Sequence, residues 1–311
     1  MTAKNTTRIT LIGFGEVGTA LSKGLVAAGR HEVAVYDILM DDPATRGPMI
    51  DKAEELGVQA CASAAEAARG AAAVISAVTA SSAYDVAKLA GSYMVAGQFF
   101  LDVNSVSPST KRHDAAAIEA SGASYVEAAV MAPIAPYGIK VPMVLGGARA
   151  AELKALLEPS GMKMTLGETE IGKASALKMC RSIMVKGFEA LAVECMTTAR
   201  LYGVEDAMLA SLRETYPGID WEWFAGYKIG RVVEHGRRRA AEMREAAETI
   251  AETGLVPFMA RATAERQDWV ADLVELRPSL KQLPDTAWRE RADTFAKDAK
   301  LKSLAEMGKE D

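Results

Sequence analysis

The sequence predicts an α/β fold in two parts, a doubly wound parallel sheet domain followed by an all-helical domain. In the first half of the chain, short apolar segments alternate with alanine-rich stretches that favour helices. Short strands separated by helices are typical of a parallel sheet that is covered on both faces. After about Glu168 no strand pattern returns, and long segments rich in Ala, Leu, Glu and Arg follow. We therefore predict a first domain over residues 1–166 and a helical domain over residues 167–311.

The individual elements follow from the apolar runs and from helix-favouring composition. The predicted strands are Ile9–Ile12, Val33–Tyr36, Ala73–Ser76, Phe99–Asp102, Ser124–Glu127 and Met143–Gly146. The predicted helices include Ser63–Arg69, Pro108–Ser121, Gly172–Tyr202, Asp220–Thr253 and Met259–Leu276. A helix as long as Gly172–Tyr202 needs cover from other elements, so we expect it to form the centre of the helical domain.

A glycine-rich turn, GFGEVG, follows the first predicted strand directly at residues 13–18. A helix-favouring stretch comes next, and then a second strand that ends at Asp37. In such a unit the first glycine permits a tight turn, the second lets the backbone approach a pyrophosphate, and the third lets the helix lie close to the strand. The helix N-terminus offers N–H donors and a positive dipole to the phosphates. The combination predicts a dinucleotide-binding domain of the Rossmann type.

Asp37 predicts which dinucleotide is bound. It lies 19 residues beyond Gly18, the position expected for a carboxylate that accepts hydrogen bonds from an NAD ribose. The same charge would repel the 2′-phosphate of NADP, and no Lys or Arg follows before Arg46. We therefore predict NAD as the cofactor. The predicted cofactor-binding residues are Gly13, Phe14, Gly15, Glu16, Val17, Gly18, Asp37, Val78, Thr79 and Asn104.

Composition and charge argue against several function classes. The chain has 311 residues and a net charge of −5, which does not favour nucleic acid or a membrane surface as a partner. The three cysteines and three histidines are scattered without metal-ligand spacing, so we predict no metal site. Residues 1–7 have no apolar segment typical of a signal peptide, and no apolar run is long enough to span a bilayer. We expect a cytoplasmic protein with a small-molecule substrate.

Three further segments carry motifs. Residues 102–108 read DVNSVSP, residues 127–133 read EAAVMAP, and residues 172–178 read GKASALK. Together with the glycine turn they resemble the β-hydroxyacid dehydrogenase superfamily, which includes 6-phosphogluconate and 3-hydroxyisobutyrate dehydrogenases. The corresponding superfamily motifs are D-x-S-T-x-x-P, D-A-P-V-S-G-G and G-x-G-x-x-x-K. The resemblance covers nearly the whole chain and implies a dinucleotide domain followed by an all-helical domain.

Within this superfamily, the chain is similar to an offshoot whose helical C-terminal domain is poorly characterised. The segments that carry this similarity are ASALKM at residues 174–179, KG at residues 186–187 and RRAAEM at residues 238–243. They indicate lineage and leave the substrate open.

The resemblance identifies Lys178 as the catalytic lysine. Oxidation of an alcohol needs a group that takes the hydroxyl proton as the C–H bond breaks, and a lysine can do so when burial or nearby cations lower its pKa. On an ideal helix Lys178, Ser182, Lys186 and Glu189 fall within about 80° of one another. We predict Lys178 as general acid/base and Ser182 as a partner of the substrate hydroxyl. Lys186 is predicted as a further catalytic residue that either lowers the pKa of Lys178 or binds the substrate, with Glu189 as the group that orients Lys186. Spacing alone favours solvated helix residues over a catalytic role, and the resemblance is what favours catalysis at Lys178.

Two departures from the superfamily motifs concern the substrate. Ser182 stands where the superfamily has Asn, and a hydroxyl cannot bridge two groups as an amide can. Met131, Ala132 and Pro133 replace Ser-Gly-Gly, which weakens the grip on a small carboxylate because proline has no N–H. With Ser105 in the loop that the resemblance places near nicotinamide and substrate, these residues predict a substrate larger or more apolar than a small hydroxy acid.

An aromatic cluster and a basic run leave alternatives open. Residues 216–227 hold two Trp, one Phe and two Tyr, in a chain that is only 6% aromatic. These rings fit a core or a subunit interface, or a pocket in which Trp223 and Tyr227 contact an aryl substrate. Residues 234–239 read EHGRRR. The run favours a solvated helix turn in which Arg238 pairs with Glu242; the alternative is that His235 or an arginine reaches the substrate in the active site of a partner subunit.

Three functions are therefore compared. The leading prediction is an NAD-dependent oxidoreductase that acts on a hydroxyl, and the resemblance implies a homodimer through the helical domain. The alternative is a lyase with tightly bound NAD, which oxidises an aryl-propanoid diol, loses formaldehyde by retro-aldol cleavage and returns the hydride. The third is a non-catalytic NAD-binding sensor, since a fold alone does not determine a function.

Overall fold

The computed structural model describes residues 7–307, with side chains through residue 298. The first six residues, on which the signal-peptide expectation rests, lie outside the described residues. The chain divides into two compact units, Met1–Met179 and Cys180–Asp311. The division lies inside a long helix and later in the chain than the predicted boundary at residue 166. The reason is that the first turn of this helix is hydrogen-bonded to residues of the first unit.

The first unit is built on one eight-stranded sheet with the order β3-β2-β1-β4-β5-β6-β7-β8. Its strands are β1 (Thr7–Ile12), β2 (His31–Tyr36), β3 (Gln59–Ala60), β4 (Ala71–Ser76), β5 (Phe99–Asp102), β6 (Ser124–Val130), β7 (Met143–Gly146) and β8 (Met164–Leu166). All six predicted strands are present, and the short strands β3 and β8 are additional.

One strand runs against the predicted direction. Neighbouring strands from β3 to β6 in the sheet are parallel, but β7 is antiparallel to β6, and β8 is parallel to β7. A parallel neighbour requires a long crossover, usually a helix. Residues 131–142 contain three prolines and form only a short 3₁₀ turn at Gly138–Lys140, so the chain returns antiparallel.

Helices cover both faces of the sheet in the first unit. Along β1, Ile9 and Leu11 belong to the apolar core on one face, whereas Ile12 belongs to the core on the other face. This two-sided burial confirms the doubly wound α/β class. The helices are α1 (Glu16–Ala28), α2 (Pro43–Glu55), α3 (Ala64–Ala68), α4 (Ala83–Ala90), α5 (Pro108–Glu119) and α6 (Ala150–Leu157).

The second unit is helical, as predicted. Its core contains Ile229, Val232 and Leu273. Two of its helices approach closely at Gly236, where a Cβ would lie 2.7 Å from the carbonyl oxygen of Gln267. Among the described helices, none has the length and apolar character that a membrane span requires. The helices that follow α6 are α7 (Lys173–Tyr202), α8 (Glu205–Thr215), α9 (Trp221–Ala251), α10 (Phe258–Leu276) and α11 (Trp288–Met307).

Candidate active site

The glycine turn lies at the carboxyl end of β1, where the strand order reverses between β1 and β4. Ligands of doubly wound sheets bind at such a switch point. A Cβ at Gly13, whose φ is +93°, would overlap the carbonyl oxygen of Ala77, and a Cβ at Gly18 would overlap that of Gly13. At Gly15, by contrast, a Cβ would meet no atom within 4 Å. The turn therefore combines close packing with the exposed backbone that a pyrophosphate needs.

Asp37 contacts this turn directly. Its Oδ2 accepts a hydrogen bond from the Phe14 N–H at 2.6 Å, and its Oδ1 accepts one from the Leu39 N–H at 3.0 Å. The carboxylate thus lies beside the turn, where a ribose is recognised in this type of fold. Sequence spacing missed Lys52, whose Nζ donates to the Phe14 carbonyl at 2.7 Å and lies 4.5 Å from the centroid of the Phe14 ring.

Asn104 connects two loops at the same edge of the sheet. Its Oδ1 accepts the Val78 N–H at 2.8 Å, and its Nδ2 donates to Ser76 Oγ at 3.0 Å. These two bonds fix the side chain in one orientation, and the backbone N–H of Asn104 donates to Asp102 Oδ1 at 2.9 Å. The predicted cofactor-binding residues thus follow the carboxyl ends of four strands. Gly13, Phe14 and Gly15 follow β1, with Glu16, Val17 and Gly18 in the first turn of α1, Asp37 follows β2, Val78 and Thr79 follow β4, and Asn104 follows β5.

Lys178 lies on the second turn of α7 and meets the loop that follows β5. Its Nζ donates a hydrogen bond to Ser105 Oγ. One turn earlier, Ser175 Oγ donates to the carbonyl oxygen of Val106. The structure therefore brings together two residues that sequence reasoning assigned to catalysis and to the substrate, next to the loop that contains Asn104.

Glu127 holds the start of α7, a role that sequence reasoning missed. This side chain is completely buried on β6, and its carboxylate accepts N–H groups from Gly172 at 2.7 Å and from Ala174 and Ser175 at 3.2 Å each. Burial raises the pKa of Glu127, while nearby Lys111 and the three N–H groups act in the opposite direction. The available signal was an acidic residue inside an otherwise apolar strand.

A buried ionisable cluster lies under the Asn104 loop. Lys111 Nζ is 2.9 Å from Asp102 Oδ2, and the Tyr125 hydroxyl donates to the same oxygen at 2.7 Å. Asp114 is completely buried, and its pKa is raised to about 8, first by burial and next by the Asp102 carboxylate. The folded protein therefore holds a proton on Asp114 at neutral pH.

Asp114 should make stability fall as the pH rises. Because its folded pKa of about 8 lies above the ordinary value of 3.8, its contribution is full below pH 3.8 and is lost as the pH rises through about 8. Asp114→Asn keeps the shape without titrating. Between pH 3.8 and about 8, the free energy of unfolding of Asp114→Asn should therefore rise relative to that of the wild type, by up to about 1.4 kcal/mol per pH unit.

Urea unfolding at several pH values within that window measures this difference. Asp51→Asn, an exposed substitution on α2, is the matched control and should keep the wild-type pH dependence. An Asp114→Asn curve parallel to that of the wild type would contradict the raised pKa.

The segment that departs from the superfamily motif offers few amides to a ligand. The Met131 N–H donates to the Pro142 carbonyl at 2.9 Å, and Pro133 has no N–H. Two of the three positions therefore present no amide to a substrate carboxylate. Met131 and Ala132 are half-buried, and Pro133 is exposed.

In the second unit, Ser182 and Lys186 form one buried polar group. Lys186 Nζ donates to Ser182 Oγ at 3.0 Å and lies 2.8 Å from Glu242 Oε2. The prediction that Glu189 orients Lys186 is wrong, because Glu189 accepts two hydrogen bonds of 2.6 Å from Arg239 Nη1. The acid that pairs with Lys186 lies on α9, where helix periodicity within α7 cannot reveal it.

The remaining predicted substrate residues lie on α9. The ring centroids of Trp223 and Tyr227 are 4.9 Å apart, with an interplanar angle of 8°. Because Trp223 is 61% exposed, this pair is not part of the buried core. His235 is half-buried, and its pKa is lowered to about 4 by burial and by Arg231, Arg238 and Arg239. Arg238 and Glu242 pair at 2.8 Å, as the spacing predicts. Within the described residues, no group of three His, Cys, Asp or Glu could hold a metal ion.

Comparison with known proteins gives two family matches. Residues 8–105 match the family described as "NADP oxidoreductase coenzyme F420-dependent", and residues 199–270 match a "Domain of unknown function (DUF1932)". A relative from Methanothermus fervidus, an uncharacterized 28.5 kDa protein in the 7S RNA 5′ region, is 33% identical over 260 residues. That alignment covers 82% of this chain and 96% of the relative.

Two solved structures are similar over nearly their full length. A conserved hypothetical protein from Sinorhizobium meliloti 1021 is 38% identical with a TM-score of 0.79, covering 94% of this chain and 96% of that one. A conserved protein of unknown function, whose structure is described as similar to 3-hydroxyacid dehydrogenases, is 31% identical with a TM-score of 0.70. The latter alignment covers 85% of this chain and 97% of that one.

Proposed function

Because the chain belongs to the β-hydroxyacid dehydrogenase superfamily, we propose that it is an NAD-dependent dehydrogenase that oxidises a hydroxyl group with Lys178 as general acid/base. Membership makes it a pyridine-nucleotide oxidoreductase of the 3-hydroxyacid dehydrogenase type. The observation that carries the proposal is the hydrogen bond from Lys178 to Ser105, beside the loop that contains Asn104. A proton acceptor and a cofactor-binding loop are the two parts that alcohol oxidation requires.

The residues of the first unit have separate tasks in this proposal. The glycine turn would bind the pyrophosphate and Asp37 the ribose of the cofactor, while Asn104 holds the loops after β4 and β5 together. NAD, when bound, supplies the ring that accepts the hydride. Lys178, as the neutral amine, takes the hydroxyl proton as the C–H bond breaks and becomes an ammonium group, and the contact with Ser105 holds its Nζ in place.

Asp37 is the basis for choosing NAD. A carboxylate beside the turn repels a 2′-phosphate, although the Lys52 ammonium at Phe14 partly offsets that charge. We expect the wild type to bind NADH more tightly than NADPH, and Asp37→Asn to lower this preference by at least about tenfold. Fluorescence titration with each reduced cofactor measures both affinities without a substrate.

The control for this titration is Asp41→Asn. Asp41 is an exposed acid in the same turn, and its carboxylate accepts the Tyr36 hydroxyl at 2.7 Å, so its loss removes a nearby charge without touching the Phe14 amide. A wild type that prefers NADPH would refute the assignment of NAD.

The proposed substrate is an alcohol that is larger and more apolar than a small hydroxy acid, with an aromatic group. The Met131 N–H is already hydrogen-bonded and Pro133 has no N–H, which supports weak binding of a substrate carboxylate at this segment. The exposed stacked pair of Trp223 and Tyr227 supports the aromatic character, since aromatic rings are frequent in ligand sites.

Product analysis tests the reaction type. Purified protein is incubated with NAD and an aryl-propanoid diol, and both NADH and the carbon skeleton of the product are quantified. The proposal predicts one NADH per product with the skeleton intact. Formaldehyde release without net NADH, together with NAD that survives gel filtration, would instead establish the lyase. Cofactor binding without turnover of any alcohol would favour the sensor.

We also propose that the protein is a homodimer through its helical unit. Met184 and Leu191 are 58% and 52% exposed on α7, and their separation of seven residues places them on one face. Exposed apolar side chains in a row on one helix are typical of an interface. Sedimentation equilibrium should therefore give twice the chain mass.

A further inference from the structure

Three cations of the helical unit lie close together without a carboxylate partner. Arg181 on α7 and Arg231 on α9 both act electrostatically on Lys228 of α9. In the part of the chain that the structure describes, none of these three side chains forms an ion pair or a hydrogen bond with an acid. The buried acid that acts electrostatically on Lys228, Glu189, is already engaged by Arg239 and by Gln267 Nε2 at 3.2 Å. The cluster therefore has an excess of positive charge.

Lys228 lies among aromatic rings. It is half-buried, and its Nζ lies 5.5 Å, 5.7 Å and 6.0 Å from the ring centroids of Phe224, Tyr227 and Phe188. Burial lowers the pKa of Lys228, the Glu189 carboxylate acts in the opposite direction, and Arg239, Arg181 and Arg231 add to the lowering. Three aromatic faces stabilise an ammonium group only weakly, so an anion at this point would gain from the unbalanced charge.

His235 continues the same face of α9. Lys228, Arg231 and His235 are spaced at i, i+3 and i+7, and all three are half-buried. Since the pKa of His235 is lowered to about 4, its ring is neutral at neutral pH and offers hydrogen bonds without a charge of its own. We call Arg181, Lys228, Arg231 and His235 the cationic patch.

An aromatic surface adjoins the cationic patch. Trp223 and Tyr227 are stacked one turn apart, and Arg231 follows Tyr227 by a further turn of α9. A flat exposed ring pair next to arginine and lysine matches a ligand that combines an aryl ring with an anionic group. The planar guanidinium of Arg231 fits a carboxylate better than it fits a spherical ion.

We propose that the cationic patch and the Trp223–Tyr227 pair form a binding site for an aromatic carboxylate. The site lies wholly within the helical unit. It rests on the proposed function in one point, since the Trp223–Tyr227 pair is the one taken there to support an aromatic substrate, but binding of an aromatic carboxylate at this site needs neither NAD nor Lys178. The carboxylate is held by Arg231 and Lys228, with Arg181 adding long-range attraction, and the ring lies against the aromatic pair.

Direct binding to the full-length protein tests this site with benzoate as the probe. Benzamide is the uncharged match, and cyclohexanecarboxylate keeps the charge without the aromatic ring. Tryptophan fluorescence and titration calorimetry should give saturable benzoate binding, with both comparison compounds at least about tenfold weaker. Equal affinity for benzoate and benzamide, or no saturation by benzoate, would overturn the proposal, and neither comparison requires a folded variant.

Variants locate the site. Arg231→Met and Lys228→Met should each weaken benzoate by at least about tenfold, whereas Arg237→Met should leave its affinity unchanged. Arg237 lies on the same helix but pairs with Asp268, Asp272 and Glu275. Lys178→Ala should bind benzoate normally even where it has no turnover, which separates this proposal from the dehydrogenase. The ligand site would be refuted if the wild type fails to bind benzoate and Arg231→Met has a lower mass in sedimentation than the wild type. That pair of results would show that the patch contacts a second copy of the chain instead.

Discussion

Lys178→Ala is expected to lower kcat by about 10²- to 10⁴-fold, the range in which a positioned proton acceptor contributes to catalysis. Affinity for NADH should change little, because the glycine turn and Asp37 hold the cofactor through other contacts. The variant should fold, since Lys178 is only half-buried on α7 and alanine favours a helix. Steady-state kinetics with the alcohol that the wild type oxidises, together with an NADH titration, measures both quantities.

Two controls separate chemistry from structure in this experiment. Lys173→Ala removes an exposed lysine from the same helix, one that makes only a 3.5 Å ion pair with Glu170, and it should keep wild-type kcat. Added methylamine should partly restore the turnover of Lys178→Ala, because the deleted side chain leaves room for a soluble amine. Turnover of Lys178→Ala within about threefold of the wild type would refute the role of Lys178 as acid/base.

The fold was accessible from sequence because its signals are local. A strand such as Ala71–Ser76 is a short run of small and apolar residues, and the glycine turn at residues 13–18 has its conformation set by its own glycines. The direction of β7 was missed because it depends on the connection before it. Three prolines and the lack of a helix pattern over residues 131–142 carried that information.

The candidate site was only partly accessible, for a physical reason. Motif residues such as Asp37, Asn104 and Lys178 are marked by their spacing or by resemblance, and the structure gives each a polar partner. Glu127 is marked only as the acidic first residue of the 127–133 motif, and Lys52 is not marked at all. The roles of both were missed because their partners lie far away in sequence and are brought near by packing alone. Periodicity within one helix likewise paired Lys186 with Glu189, when the actual partner comes from another helix.

Glu127→Gln is expected to lower kcat by about 10²-fold while it leaves NADH affinity near the wild-type value, because Glu127 positions the helix that contains Lys178 and does not contact the glycine turn. The amide keeps one acceptor, but its NH₂ group faces N–H donors of Gly172, Ala174 or Ser175. At least one buried donor then loses its partner, which should lower the free energy of unfolding by about 1–3 kcal/mol.

Kinetics and unfolding of Glu127→Gln must be compared with those of a neutral exchange elsewhere. Glu168→Gln changes an exposed acid just before α7 and should leave both unchanged. A purely structural role for Glu127 predicts lower stability with normal kcat in the folded fraction, and that result would contradict positioning. If Glu127 acts through Lys178, the double variant Glu127→Gln/Lys178→Ala loses no more turnover than Lys178→Ala alone, because the helix then no longer carries the group that Glu127 positions.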